Sequence, residues 1–150
     1  MTSPIAAKVS AETKQAMRAR AKERLGVLRM VSSEFKRIEI DERIELDDAR
    51  CINILTKMSK QRNDALAQYE DAGRQDLADV ERFELSVIQE FLPLPLSQSE
   101  IDAIVDEAIS TTNASSMAQM GAVMAQIKPQ IEGRADLGAV SKQLRDRLSA

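Results

Sequence analysis

The side chains able to do chemistry are few. There is no histidine, which removes imidazole acid–base catalysis, the Ser-His-Asp arrangement and most zinc sites. The single cysteine, Cys51, has no second thiol for a disulfide or a thiolate metal site, and its helical position reads as that of a small buried hydrophobe. The carboxylate pairs Asp47-Asp48 and Asp102-Asp106 fall at a helix start and on a polar helix face, where capping and solvation account for them. No phosphate-cradling glycine loop and no dinucleotide fingerprint occurs. The sequence thus offers no catalytic residue, no metal ligands and no cofactor site, and the isolated chain is expected to hydrolyse neither glutamine nor ATP.

Cations offer a different chemistry. Lys128 and Arg134 belong to the stretch MGAVMAQIKPQIEGRAD, Met120 to Asp136, where they read as loop residues beside Pro129 and Gly133. Lys142 and Arg145 follow on the face of the last helix opposite its apolar stripe, by the 100° rotation per residue. These four are the candidate phosphate contacts. Lys14, Arg18 and Lys22, at i, i+4 and i+8, form an alternative basic stripe, for which a solvated face is the simpler account. Met117, Met120, Met124 and Ile127 recur at three, four and three. That stripe reads as adaptable packing and, with Gly121 beside it to admit another helix, as a candidate partner-docking face. Arg62, inside the polar group Lys60 to Asp64, interrupts an apolar seam and is expected to pair with a carboxylate of its own domain.

The elements that hold these residues are helical. With 150 residues, 43% apolar content, three Phe, one Tyr and no Trp, the chain can bury a core, and its unbranched side chains favour helices. The periodicity predicts an all-α fold of about six or seven helices. Ser3-Pro4 opens the first, with Ile5, Val9 and Ala16 on one face. Leu25, Leu28, Val31, Phe35 and Ile38 mark a second to about Ile40, and Asp41 to Glu45 read as an acidic connection. Asp47-Asp48 cap the longest helix, whose seam is Cys51, Leu55, Met58, Arg62, Leu66 and Tyr69. Gly73 ends it. Asp76 reads as the next cap, with Leu77, Val80, Phe83, Val87, Ile88 and Phe91 inward and Arg74 as a tether for preceding carbonyls. Leu92-Pro93-Leu94-Pro95-Leu96 breaks the pattern. Ser97 with Glu100 then forms a capping box, Asn113 closes that helix, Ser115 or Ser116 caps the next, and Asp136 starts the last, with Leu137, Val140, Leu144 and Leu148 inward.

The reading is therefore an N-terminal helical bundle of about four helices over residues 1–92, a Pro-rich linker at 93–97 and a three-helix lobe over 98–150. The net charge of −3 hides segregation. Residues 1–40 hold nine Lys/Arg against four Glu, residues 41–100 seven against fourteen, and residues 101–150 five against six. The overall balance is not that of a non-specific nucleic-acid binder, and no DNA partner is expected. No run of 18 apolar residues occurs, so no membrane partner is expected. The Arg-rich start mimics a transit peptide, but Met17 to Arg37 already belongs to the periodic fold, and the expected location is cytoplasmic.

In four stretches the chain resembles the GatB/YqeY family, in particular its small stand-alone YqeY-like proteins. They are KQAMRARAKERLGVLRM from Lys14 to Met30, KQRNDALAQYEDAGRQDLADVE from Lys60 to Glu81, FLPLPLSQSEI from Phe91 to Ile101, and ASSMAQMGAVMAQIKPQIEGRAD from Ala114 to Asp136. Ala125 stands where such sequences often have glycine, and Leu137-Gly138 where Gly followed by Lys is usual. The resemblance implies a helical N-terminal bundle and a lobe similar to the tail domain of GatB, the subunit of the glutamine-dependent tRNA amidotransferase that holds tRNA. The amidotransferase chemistry belongs to a cradle domain and a glutaminase subunit that this chain does not resemble.

Three functions follow as expectations. The first is a non-catalytic protein that binds tRNA through its tail-like lobe, possible partners being an amidotransferase or another translation enzyme. The second is a protein-interaction module that docks a partner through the Met117/Met120/Met124 stripe. The third, which family naming supplies, is an accessory component of a carbon–nitrogen ligase with glutamine as amido-N-donor.

Overall fold

Two helix–turn–helix pairs span residues 4–89. The computed structural model describes residues 3–149, and among these there are seven α-helices and no strand. Cα proximity divides the chain into two compact units, Met1–Pro93 and Leu94–Ala150.

The first unit comprises α1 (Pro4–Arg18), α2 (Lys22–Glu42), α3 (Asp48–Asp71) and α4 (Gln75–Gln89). Ser3 caps α1 with its hydroxyl, which accepts the Ile5 and Ala6 N–H groups at 3.1 and 3.2 Å and donates to the Asp48 carboxylate. Asp48 also accepts the Ile5 N–H at 3.1 Å, so the starts of α1 and α3 are stitched together. Asp47 caps α3 through the Arg50 N–H at 2.8 Å. One core, centred on Val9, Leu28, Val31, Leu55, Val87 and Ile88, joins all four helices. Arg24 bridges three of them, reaching Glu12 at 3.1 Å on α1 and Glu90 at 2.5 Å just beyond α4.

Helix ends differ from expectation where the left-handed residue is an arginine. α1 stops at Arg18 because Arg20 takes φ 56°, and the Ala21 and Arg20 N–H groups turn back to the Ala16 and Met17 carbonyls in a Schellman arrangement. The Lys14/Arg18/Lys22 stripe is thus split, its first two members on α1 and its third opening α2. Asp41 and Glu42 are helical, and Arg43, with φ 55°, ends α2 instead. Gly73, with φ 72°, closes α3 as expected. α4 begins at Gln75, one residue before the proposed cap, because Asp76 is held by the Arg74 guanidinium at 3.1 Å, which also removes Arg74 from any carbonyl tether.

The buried stripe of α4 is rotated from the expected one. Ala78, Val87 and Ile88 are buried and Glu81 and Leu85 half-buried, whereas Val80 and Phe83 are exposed. A small alanine and a carboxylate occupy inward positions that hydrophobicity would assign to their larger neighbours. Gly26 in α2 is exposed, and a Cβ added there meets nothing within 4 Å. Gly26→Ala is therefore expected to stabilise the protein by about 0.5–1 kcal/mol through helix propensity, read from urea midpoints at unchanged m-value. A lower midpoint would show that the Cβ strains α2.

The second unit holds α5 (Gln98–Thr112), α6 (Met120–Ile131) and α7 (Leu137–Ser149). Ser97 and Glu100 form the capping box at 3.1 and 3.2 Å, and Asn113, with φ 54°, closes α5. Met117–Gln119 is a separate 3₁₀ turn rather than the start of α6, because the Gln119 side chain folds back to accept the Ser115 and Ser116 N–H groups at 2.6 and 3.2 Å. The core is Ile101, Val105, Ala108, Val123, Ile127, Ile131, Val140, Leu144 and Leu148, with α6 packed on both α5 and α7.

Candidate nucleic-acid interface

The connection from α6 to α7 sets the positions of the four expected phosphate contacts. α6 runs through Pro129 to Ile131, so Lys128 lies in the last helical turn and not in a loop. A proline so near the end removes a single helical donor. Gly133, with φ 78°, then reverses the chain, and the Arg134 and Ala135 N–H groups return to the Ile131 carbonyl at 2.8 and 3.0 Å.

That turn presents Arg134 to the proline-rich segment rather than to solvent. Its Nε donates to the Leu94 carbonyl at 2.9 Å, and its own carbonyl accepts the Leu96 N–H at 2.8 Å. Arg134 is half-buried and acts as a brace. Asp136 follows, its Oδ1 accepting the Gly138 N–H at 2.9 Å and its carbonyl the Val140 N–H at 3.1 Å. The Asp136 carboxylate thus caps the first turn of α7 at one N–H, that of Gly138. A Cβ on Gly138 would sit 3.3 Å from that Oδ1, so glycine leaves room for the cap.

On α7, Lys142 and Arg145 are exposed, away from Val140, Leu144 and Leu148. Neither they nor Lys128 has an ion-pair partner among the described residues. The remaining cation of this unit, Arg147, pairs with Asp106 at 2.6 Å. Beside it Asp102 accepts from Gln98 and Gln143 at 2.9 and 2.8 Å, tying α5 to α7. Those hydrogen bonds, Gln98 first, hold the Asp102 carboxyl below its ordinary range. Both carboxylates serve structure.

The methionine stripe lies differently from its sequence reading. Met120 and Met124 are half-buried against the core, Met117 is exposed on the 3₁₀ turn, and the fully buried line along α6 is Val123, Ile127 and Ile131. Gly121 is exposed with open space at its Cβ position, so no helix of this chain approaches it closely. In the first unit, Lys14, Arg18, Arg20 and Lys22 are all exposed without ion-pair partners among the described residues. Arg20, absent from the expected stripe, joins this exposed group at the left-handed residue between α1 and α2. Arg62 does pair within its domain, with Glu84 at 3.0 Å. Cys51 is buried, its Sγ 3.6 Å from the Ser3 hydroxyl, and burial pushes its thiol pKa up. Among the described residues no helix is long and apolar enough to cross a membrane.

An all-helical chain of two units, with exposed unpaired cations on each, defines the class. Residues 6–148 match the family described as Yqey-like protein, and the chain belongs to that family. It is similar to the protein named Altered inheritance of mitochondria protein 41, mitochondrial, of Pyrenophora tritici-repentis, 26% identical over 147 residues that cover 95% of this chain and 80% of that protein. It is also similar to the protein of the same name from Vanderwaltozyma polyspora, 34% identical over 102 residues, 66% of this chain and 55% of that protein. Both relatives are named as mitochondrial, which sets them apart from the cytoplasmic reading of this chain.

Proposed function

We propose that the protein is a non-catalytic tRNA-binding adaptor that works beside a translation enzyme, an amidotransferase among the candidates, with its second unit as the RNA-contacting part. The observation that carries the reading is that Lys128, Lys142 and Arg145 are exposed and unpaired while their neighbour Arg147 is neutralised by Asp106. Resemblance of this stretch to the GatB tail supplies the choice of tRNA. A free, buried Cys51 fits a reducing compartment, and cytoplasmic placement is part of the proposal.

Arg134 is engaged by the Leu94 carbonyl, so three cations rather than four are available to phosphates. At about 0.7 to 0.9 per contact, log affinity for tRNA against log salt is expected to fall with a slope of roughly −2 to −3. Lys142→Glu with Arg145→Glu should weaken binding and flatten the slope while helical content stays unchanged. Arg134→Gln should lower the melting temperature with little effect on the slope. A second reading, in which RNA is met by the α1–α2 corner, is favoured by four unpaired cations within nine residues, Lys14 to Lys22. If reversing Lys14, Arg18 and Lys22 abolishes binding and the double variant of α7 binds normally, the tail-like reading is wrong.

A further inference from the structure

We propose that the trough between α2 and α3 is a docking site for an acidic amphipathic helix of a partner protein. α2 and α3 run antiparallel through the short Arg43–Asp47 connection, and α1 and α4 each pack on both, yet α2 and α3 make little contact with one another. A cleft of about 840 Å³ opens between them within the first unit. Its floor is apolar, formed by Met30, Ile54 and Met58. Its walls carry more positive than negative charge.

Charge complementarity selects the occupant. The two carboxylates lining the trough are already engaged, Glu34 by Arg37 at 2.5 Å and Glu42 by Arg50. Arg29 on the α2 wall and Lys57 on the α3 wall are exposed and have neither a hydrogen bond nor an ion pair among the described residues, although the Lys57 charge also acts on Glu34, which Arg37 already pairs. An excess of cations over carboxylates along the two walls together, over an apolar floor, matches a helix with an apolar stripe flanked by carboxylates. From Arg50 to Arg62 the α3 wall rises by about 18 Å, the length of a helix of roughly twelve residues.

Gly26 closes one end of the trough. A mid-helix glycine costs stability, and neither a positive φ nor a neighbour in this chain requires it there. It does leave the α2 backbone bare to a second helix. A single-stranded nucleic acid fits the trough poorly, since no aromatic ring lines it for base stacking and a phosphate backbone would not cover the methionine and isoleucine floor.

The methionine methyls report the site directly, because Met30 and Met58 line the trough while Met117, Met120 and Met124 lie in the other unit. The full chain, labelled at methionine methyls, is titrated with a helix-stabilised peptide carrying leucines at i, i+3, i+4 and i+7 and glutamates on both flanks. The same leucine helix with lysine flanks and a single-stranded oligouridylate serve as the other probes. Shifts at Met30 and Met58 alone are expected with the glutamate peptide, with affinity about tenfold or more weaker for the lysine peptide. Arg29→Glu with Lys57→Glu should abolish the shifts at unchanged helical content, and Gly26→Leu should do so sterically. Equal affinity for the two peptides, shifts confined to other methionines, or displacement of the peptide by oligouridylate would overturn the proposal. The salt dependence of tRNA binding tests the second unit separately, so either reading can fail alone.

Discussion

Leu144→Ala is expected to unfold the second unit and leave the first intact. Leu144 is fully buried at the middle of α7, in a core with Val123, Ile127, Ile131 and Val140. Truncating a buried leucine costs about 2–5 kcal/mol, the lost transfer energy plus the cavity left behind. The Leu94–Ala150 unit is small, and a single core of that size supplies roughly 3–5 kcal/mol in all. One methyl-bearing side chain is therefore comparable with the whole margin. The two cores share no residue, so the first unit retains its own. Circular dichroism should lose the contribution of α5, α6 and α7 at 25 °C and keep one cooperative thermal transition. The methyl signals of Met120 and Met124 should collapse to random-coil positions while those of Met30 and Met58 stay dispersed. If tRNA binding belongs to the second unit, it disappears in this variant. A variant that still melts as the wild type does would mean that the site relaxes around the cavity, and a fully unfolded chain would mean that the first unit depends on the second.

Where a residue's own backbone chemistry fixes the outcome, the sequence was legible. Ser3-Pro4, Gly73, Ser97 with Glu100 and Asn113 each act within four residues of themselves, and each begins or ends a helix as its type dictates. Arg20 and Arg43 do the same work as Gly73 with a residue that pays for a left-handed backbone, so no local signal marks them, and the i, i+4, i+8 spacing of the basic stripe suggests one helix where there are two. Rotational errors have another origin. On α4 the inward positions include Ala78 and Glu81, whose size and polarity hide their burial, and on α6 the fully buried line is Val123, Ile127 and Ile131, leaving the methionines partly outside. Hydrophobicity ranks residues by type, whereas packing selects them by angle. Arg134 shows the limit for the candidate site, since its bond to the Leu94 carbonyl spans forty residues and depends on how the proline-rich segment folds back. The α2/α3 trough is of the same kind. Arg29 and Lys57 stand on different helices, and only the tertiary arrangement makes them line one cleft.

Arg62→Met is expected to destabilise the first unit by about 2–3 kcal/mol at pH 7, below the 3–5 kcal/mol typical of a fully buried pair because both partners keep some exposure. The Arg62 and Glu84 side chains are 15% and 18% exposed, with Nε to Oε2 at 3.0 Å. Nη1 also donates to the Met58 carbonyl at 3.1 Å, so the substitution removes a hydrogen bond inside α3 as well. Methionine fills the aliphatic space but leaves Glu84 and Glu81 facing each other without a cation. Burial, and then the Glu84 charge, already raise the Glu81 pKa, while Arg62 opposes that rise. The sign of the pH effect follows. A carboxyl whose folded pKa lies above its unfolded value binds a proton more readily in the folded state, so its unfavourable contribution at neutral pH is relieved as pH falls through the folded value. Removing Arg62 enlarges that contribution, and the deficit of the variant should be greatest at pH 7 and shrink on acidification. Glu81→Gln in the wild-type background should raise the melting temperature at pH 7, and the same change in Arg62→Met should recover part of the loss. Urea denaturation of the four chains at pH 7 and pH 5 forms a double-mutant cycle at each pH. A deficit equal at both pH values, with no recovery from Glu81→Gln, would assign the role of Arg62 to its hydrogen bond with the Met58 carbonyl and not to its charge.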